Sequence, residues 1–482
     1  MTPIRTPPAA PAPGAPAPVG SAPAKPATPA VDPGSLTPDR IAELNAAFTA
    51  DPERVRMQNA VTRTAIDDVA LRRDVVTTTD HTFRHRLDDW AVTSQKKSGR
   101  CWVFAGLNLL RVGAMQKMKL KDFQFSQNHT FFWDKLERAN YFFEQVLATA
   151  DRDLGDRTVA YLLDHPLDDG GQWNMFVNVV KKHGLVPMAA MPETESSSNT
   201  PRMNANLKTL LREGAAGLRD LAAAGAVREA LDARKQALVE SVYRVLAIHL
   251  GTPPTSFDWR WRDDEKVFHA DGTTTPQQFA ERYVAVNLDD YVCLVHDPRD
   301  TSPAGRCFTV AHLGNVVGGD FDGGVRYVNA GIDAIKDATR RSIAERGEPV
   351  WMGCDVGKMM HRELGLWDAE LFDYAGVYGV ESVHDKAQRL AYHQTLMTHA
   401  MMFTGVDTDA VDGTDVPRRW RVENSWGDEN GVKGFYTMND NWFDEHVFEV
   451  AVHRSLVPDA LVAALDESPV VLPAWDPMGS LA

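Results

Sequence analysis

Cysteine is scarce in this chain of 482 residues, with only four, at positions 101, 293, 307 and 354. None forms a C-x-x-C pair or a metal-ligand spacing with histidine, which argues against a disulfide scaffold and a structural metal site. The sequence also lacks any run of about 18 uncharged apolar residues, which excludes a conventional membrane-spanning helix. We therefore expect a protein of a reducing compartment, with no metal, no cofactor and no membrane partner.

Positive charge is also in deficit, since 51 Lys and Arg stand against 66 Asp and Glu for a net charge of −15. This balance argues against nucleic acid as a partner of the whole surface. The N-terminus has only Arg5 before a Pro/Ala tract and no apolar core of a secretory signal. A cytoplasmic location is the resulting expectation.

Proline is concentrated at one end, where residues 1–38 hold 12 of the 28 prolines. Proline removes backbone donors and alanine and glycine bury little surface, so this stretch predicts a disordered tail. Such a tail is either dispensable or a tether for a Pro-binding domain. We expect order to begin near Ser35, with Thr37 capping a helix that has Pro38 at its first position.

The remaining residues, 39–482, contain no linker and no internal repeat, which predicts one compact body. Residues 203–250 are rich in Ala, Leu, Arg and Glu with apolar residues on one face, which is typical of helix, and Gly251 ends the pattern. Runs typical of strands come late, at residues 400–406, 420–424 and 434–438. Helices first and strands last indicate an α+β fold with segregated halves.

The most informative stretch surrounds Cys101, where Ser98-Gly99 forms a turn before a long apolar, helix-compatible run. A thiol at a helix N-terminus meets unpaired N–H groups, which favour thiolate and predict a lowered pKa. Six residues upstream, Gln95 has an amide donor that could join the Cys101 backbone N–H in holding an oxyanion. A lone cysteine of this kind is otherwise more often a buried structural residue.

A nucleophilic cysteine needs a base and an orienting group, and two late segments offer them. His399 stands at the head of a strand pattern, and Asn424 follows the next strand, where its amide oxygen can accept from an imidazole N–H. Trp426 could exclude water from that bond. His399 alone would be as consistent with a core histidine, and these partners favour catalysis.

These residues resemble the papain-type cysteine peptidase signature: Gln95, Gly99-Arg100-Cys101-Trp102, His399 and Asn424-Ser425-Trp426-Gly427. Arg100 stands where secreted members usually carry serine. Three further segments are similar to the bleomycin hydrolase and aminopeptidase C branch, namely residues 169–173, 191–194 and 474–479. The resemblance covers about residues 36–482.

Spacing agrees with that branch, because His399 lies 298 residues after Cys101, about twice the 130–150 of a minimal papain-type domain. We therefore expect a papain-like α+β core with a large, mainly helical insertion. The expected parts are a helical half with the nucleophile at about 90–200, the insertion at about 200–320, a β-rich half with His and Asn at about 320–455, and a C-terminal arm at 456–482 that enters the active-site cleft.

The resemblance implies a cysteine aminopeptidase that works through an acyl-enzyme, with catalytic residues Cys101, His399, Asn424 and Gln95 and supporting Trp102 and Trp426. It implies that the carboxylate of Ala482 meets the free amino group of the substrate and limits cleavage to chain ends.

Gly170 and Gly171 would let the substrate backbone approach, or form a simple turn. The resemblance further implies a homohexamer that acts on peptides and small amides. Three alternatives stay open: an endopeptidase of the same chemistry, a hexamer that binds single-stranded nucleic acid, and a scaffold without catalysis.

Overall fold

The structure is a computed structural model that describes residues 34–87, 90–318 and 324–480. The chain divides into two units, Met1–Val69 and Ala70–Ala482, which differs from the expected single body beginning at residue 39. In the first unit, Thr37 caps helix α1 (Pro38–Thr49), and Pro38 is its first residue, as predicted. Neither α1 nor α2 (Pro52–Val61) buries a residue, so these helices supply no core of the expected kind. Most of the predicted tail, residues 1–33, lies outside the described residues.

A short helix, α3 (Ile66–Ala70), crosses the boundary between the units. The helices of the second unit are α4 (Arg73–Thr78), α5 (Cys101–Met118), α6 (Gln127–Ala148), α7 (Arg157–Asp164), α8 (Trp173–His183), α9 (Glu195–Ser198), α10 (Pro201–Ala223), α11 (Arg228–Leu250), α12 (Pro276–Tyr283), α13 (Ile332–Arg341), α14 (Tyr374–Tyr378), α15 (Lys386–Ala391), α16 (Asp440–His446) and α17 (Asp459–Ala464). Its strands are β1 (His85–Arg86), β2 (Phe257–Arg262), β3 (Phe268–Thr274), β4 (Tyr291–Val295), β5 (Cys307–Val310), β6 (Arg326–Asn329), β7 (Val350–Cys354), β8 (Met360–His361), β9 (Leu366–Trp367), β10 (His399–Val411), β11 (Thr414–Glu423), β12 (Phe435–Asn439), β13 (Val447–His453) and β14 (Val470–Leu472).

Within the described residues, twelve strands form one mixed sheet in the order β14-β5-β6-β4-β13-β7-β10-β11-β12-β9-β8, with β1 beside β10. The centre is antiparallel: β10 pairs with β7 through His399 opposite Cys354, and with β11 through Met402 opposite Glu423. The three predicted late strand runs are β10, the end of β11, and β12. The α+β class is confirmed.

The sheet is covered on both faces, because neighbouring residues of its central strands belong to different cores. Met402 and Trp351 pack in a cluster with the nucleophile helix α5, whereas Met401 and Met352 pack in a second cluster on the opposite face. This alternation follows from the two-residue period of a strand. It places the N-terminus of α5 against the start of β10.

The segment expected to be a helical insertion begins with two long helices. Residues 201–250 form two helices, α10 and α11, which pack on α6 in a third core. From Tyr291 onward the chain returns to the large sheet as β4 and β5, so the boundary at about 320 differs from the structure. Short apolar runs such as 291–295 are ambiguous by periodicity alone, which is why these strands were not predicted.

Among the described residues, no helix is long and apolar enough to cross a membrane.

Candidate active site

Cys101 is the first residue of α5, directly after a turn at residues 98–100. Its side chain is 2% exposed and belongs to the same apolar cluster as Met397, Ala400 and Met478. The backbone N–H of Ala400 faces the sulfur, together with the N–H groups of Cys101 and Trp102. Since Ala400 follows His399, the fold brings the predicted nucleophile to the strand that carries the predicted base.

Arg100 stabilises the turn that precedes Cys101. Its fully buried guanidinium donates to both carboxylate oxygens of Glu193, at 2.9 and 2.7 Å, and its Nε donates to the Ser98 Oγ at 3.0 Å. The ring of Phe104 lies 5.1 Å from the guanidinium carbon. This bidentate pair is the strong geometry for an arginine and a carboxylate, and it holds the backbone from which α5 starts.

His399 and Asn424 meet as predicted. The His399 Nε2 lies 2.9 Å from the Asn424 Oδ1, which also accepts from the backbone N–H of Ser425 at 2.7 Å. Because that oxygen is the acceptor, Nε2 carries the proton and Nδ1 is the basic nitrogen. The ring of Trp426 lies 5.0 Å from the imidazole, centroid to centroid, and shields it.

Gln95 is buried and held by four hydrogen bonds. Its Oε1 accepts from the Ser425 Oγ at 2.6 Å and its backbone N–H donates to the Ser425 carbonyl at 2.8 Å. Its Nε2 donates to the Ser98 carbonyl at 2.6 Å, and the Ser98 Oγ donates back to the Gln95 carbonyl at 2.6 Å. One N–H of the amide remains to reach an oxyanion. Ser98 and Ser425, which the sequence analysis did not assign, fix the direction of this amide.

Burial sets the protonation states of Cys101 and His399. It raises the pKa of the Cys101 thiol to about 11 and lowers the pKa of His399 to about 4. The predicted lowering of the thiol pKa is therefore wrong for this closed site, because desolvation outweighs the three N–H groups that face the sulfur. Both groups rest neutral, and the thiol proton is the one that can move to the imidazole.

Gly170 and Gly171 lie next to the turn that precedes Cys101, and they make different contacts. A Cβ on Gly171 would come within 2.6 Å of the Trp102 ring, so packing requires a glycine there. The Trp102 Nε1 donates to the Asp169 carbonyl at 2.7 Å, and the Gly170 carbonyl accepts from Arg138 at 2.6 Å. Trp102 thus packs beside the nucleophile, and both its supporting role and the substrate-binding role of the glycines stay predictions.

Ala482 lies outside the described residues, so its predicted role stays a prediction. Ser480, the last described residue, donates from its Oγ to the Met397 carbonyl at 2.6 Å. Met397 is two residues before His399. Ser480 thus lies next to the segment that leads into strand β10.

A buried ionic cluster behind the site was missed by the sequence analysis. Glu423, which precedes Asn424, accepts from Arg111 at 2.8 Å, from Asn108 at 2.9 Å and from the Trp90 indole at 2.5 Å. Arg111 and Asn108 belong to α5. The cluster therefore connects the nucleophile helix to the end of the strand that precedes Asn424. Its only signal in the sequence was the presence of charged residues, Arg421 and Glu423, at the buried end of strand β11.

Among the described residues, no group of three or more His, Cys, Asp or Glu side chains could hold a metal ion. The four cysteines are free and buried.

The comparisons with known proteins agree with this geometry. The family model described as Peptidase C1-like family matches residues 35–479. Bleomycin hydrolase of Mus musculus is 42% identical over 455 residues, which cover 93% of this chain and 99% of the relative. Aminopeptidase C of Streptococcus thermophilus is 41% identical over 448 residues, with the same coverage.

A solved structure, PepW from Lactobacillus rhamnosus, superimposes with a TM-score of 0.89 and 43% identity, over 93% of this chain and all of that one. A family match of this length, with relatives this similar over nearly their whole length, leaves one assignment. The chain belongs to the Peptidase C1-like family.

Proposed function

We propose that this chain is a cysteine aminopeptidase that removes residues from the N-terminus of peptides and hydrolyses small amides. The observation that carries the proposal is the connected set of Gln95, Ser425, Asn424 and His399 at the N-terminus of the helix that begins with Cys101. Relatives named bleomycin hydrolase and aminopeptidase C support the same activity.

The reaction is acyl transfer in two halves. The Cys101 proton moves to the His399 Nδ1 as the sulfur attacks the substrate carbonyl, so the pair stays neutral overall in its buried site. The C–N bond breaks as His399 returns that proton to the leaving amine. Water then attacks the thioester with His399 as base, which releases the amino acid and restores the thiol.

Charge on the carbonyl oxygen is greatest in the tetrahedral intermediates. The Cys101 backbone N–H and the remaining Gln95 N–H are the donors for that oxygen. Asn424 holds the imidazole so that Nδ1, and not Nε2, faces the reacting atoms. Trp426 keeps water from the bond between the two.

The leaving part of the substrate has room beside Trp426. A cavity of about 640 Å³ opens there, and Lys96, Lys97 and Arg362 are among its lining residues. Lys96, which lines this cavity, directly follows Gln95 in the sequence. This position fits the portion of a peptide beyond the cleaved bond.

The restriction to chain ends is assigned to the C-terminus, whose carboxylate pairs with the substrate's free amino group. Such a charge-assisted bond is strong in a partly desolvated groove. Ser480 against the Met397 carbonyl supports this placement.

The test is an aminoacyl fluorogenic amide with a free or an acetylated N-terminus. We expect the wild-type chain to hydrolyse the free form and Cys101→Ala to be inactive. Deletion of residues 479–482 should restore cleavage of the acetylated form. Wild-type rates in Cys101→Ala would reject the assignment, and equal rates on both forms in the intact chain would favour an endopeptidase.

We also propose a homohexamer in the cytoplasm, on the strength of the family resemblance and the four reduced cysteines. Light scattering should give the mass of six 53.3 kDa chains. A monomeric mass at micromolar concentration would reject the hexamer.

A further inference from the structure

The last described residues of the chain are held by contacts that the proposed reaction does not use. Residues 473–480, the last described part of the expected C-terminal arm and called the arm in this subsection, follow strand β14, which pairs in parallel with β5. A short 3-10 turn, Pro477–Gly479, brings the chain to Ser480. Its holding contacts are an ion pair at the start of the turn and an amide clamp at its end.

The ion pair centres on Arg299, which bridges two carboxylates. Its Nη2 lies 2.8 Å from the Asp476 Oδ1 and its Nη1 lies 3.2 Å from the Asp476 Oδ2, while Nε and Nη2 donate to Asp297 at 2.9 and 2.8 Å. The side chains of Arg299, Asp297 and Asp476 are 13%, 1% and 10% exposed. Asp476 also caps the 3-10 turn by accepting from the Met478 N–H at 2.9 Å. Without the cation, two nearly dry carboxylates would face each other and repel the arm.

Asp297 is itself fixed to the sheet. Its backbone N–H donates to the Asn329 Oδ1 at 2.8 Å, and the Asn329 amide donates to the Asp297 carbonyl at 2.8 Å. Asn329 ends strand β6. The ion pair therefore connects the arm to a fixed position at the end of strand β6.

The amide clamp is Gln172, which is 2% exposed. Its Nε2 donates to the carbonyl of Met478 at 3.1 Å and to the carbonyl of Ser480 at 2.9 Å. Gln172 stands at the N-cap of α8, where its side chain makes no capping bond. Both bonds of this buried nitrogen thus go to the arm, at the point where Ser480 meets the Met397 carbonyl.

We propose that Arg299 and Gln172 are specificity-determining residues: they hold the arm so that the chain end lies in the cleft and restricts cleavage to substrates with a free amino terminus. The inference rests on the proposed aminopeptidase function. Neither residue takes part in acyl transfer. They act through the position of the last residues, and therefore on the choice between free and blocked substrates.

The experiment measures kcat/KM for the free and the acetylated aminoacyl amide in four variants. Gln172→Met keeps the volume and removes both donors, and Asp476→Asn keeps the shape and removes the charge that Arg299 holds. Deletion of residues 479–482 is the reference for a missing arm. Glu467→Gln is the matched control, since its pair with Arg306 is at the surface, with side chains 54% and 50% exposed.

We expect the ratio of acetylated to free kcat/KM to rise about tenfold or more in Gln172→Met and Asp476→Asn, which is the typical worth of a hydrogen bond to a charged or buried group. The truncated chain should show a rise at least as large, and Glu467→Gln none. Carboxypeptidase should also release Ala482 and Leu481 faster from the two variants, measured by mass spectrometry. That release reports on the arm without relying on activity.

The outcomes separate this inference from the function on which it rests. If truncation changes the ratio but neither variant changes the ratio or the release of terminal residues, the clamp is wrong and the aminopeptidase proposal stands. If truncation also leaves the ratio unchanged, the arm does not set specificity and the inference fails with that part of the proposal. If the wild-type chain hydrolyses neither substrate, the proposed function itself is rejected.

Discussion

The buried pair of Arg111 and Glu423 offers a quantitative prediction. Arg111→Met removes the cation and keeps most of the side-chain volume, leaving Glu423 without its ionic partner. Both side chains are only 1% exposed, so water cannot take over the lost interaction. Breaking one partner of such a pair typically costs about 3–5 kcal/mol. We expect a loss of this size in the free energy of unfolding at pH 7.5.

The loss should depend on pH in a defined direction. Burial already raises the pKa of Glu423 above its usual value, while Arg111 and, to a smaller extent, Arg421 oppose that shift. Without Arg111 the pKa rises further, so the folded chain holds this proton more firmly than the unfolded chain does. The resulting contribution to stability is present below about pH 4.5, the ordinary pKa of glutamate, and is lost as pH rises through the folded pKa. The variant should therefore be least impaired at acidic pH.

Urea unfolding of the wild type, Arg111→Met, Glu423→Leu and the double variant would measure these effects. The double variant should recover much of the loss, because replacing a buried pair by apolar groups is often neutral. The kcat of Arg111→Met should also fall, since Asn424 follows Glu423 directly. A loss below about 1 kcal/mol, or a double variant no better than the worse single one, would refute the reasoning.

Three further predictions concern single positions. Gln95→Ala should lower kcat by about 10²–10³, because it removes one oxyanion donor; an unchanged kcat in steady-state assays would contradict this. Gly171→Ala should destabilise the fold by about 1–3 kcal/mol, as its new methyl group meets the Trp102 ring, and thermal unfolding would show the loss. Burial raises the pKa of Glu449 to about 7, so its contribution to stability is present below about pH 4.5 and is lost as pH rises through 7. Glu449→Gln should therefore unfold at a higher temperature than the wild type at pH 8 but not at pH 4.5, and equal shifts at both pH values would contradict it.

Much of the site could be predicted because its signals are local. The cap at Thr37, the helix after Cys101 and the strands around His399 and Asn424 each follow from a few neighbouring residues. The meeting of His399 with Asn424 followed from the kind of chemistry that those residue types perform together. These elements stand in the structure where the sequence places them.

The remaining features depend on distant parts of the chain. The clamp by Gln172 joins residues 306 positions apart, and no local pattern indicates it. The pKa of Cys101 depends on how completely later segments bury its sulfur, so the helix N-terminus alone gave the wrong direction. Strands β4 and β5 were missed because a short apolar run is compatible with a buried strand and with a buried helix.

The double attachment of Gln95 to Ser425 limits how the cleft can move. The segment that leads into the nucleophile and the strand end that orients the imidazole are joined through both backbone and side chain. Separating the two segments would displace both the Gln95 amide and the Asn424 side chain that orients His399. An opening motion between these segments is therefore incompatible with catalysis. Substrate and product are therefore expected to enter and leave with the contact between Gln95 and Ser425 intact.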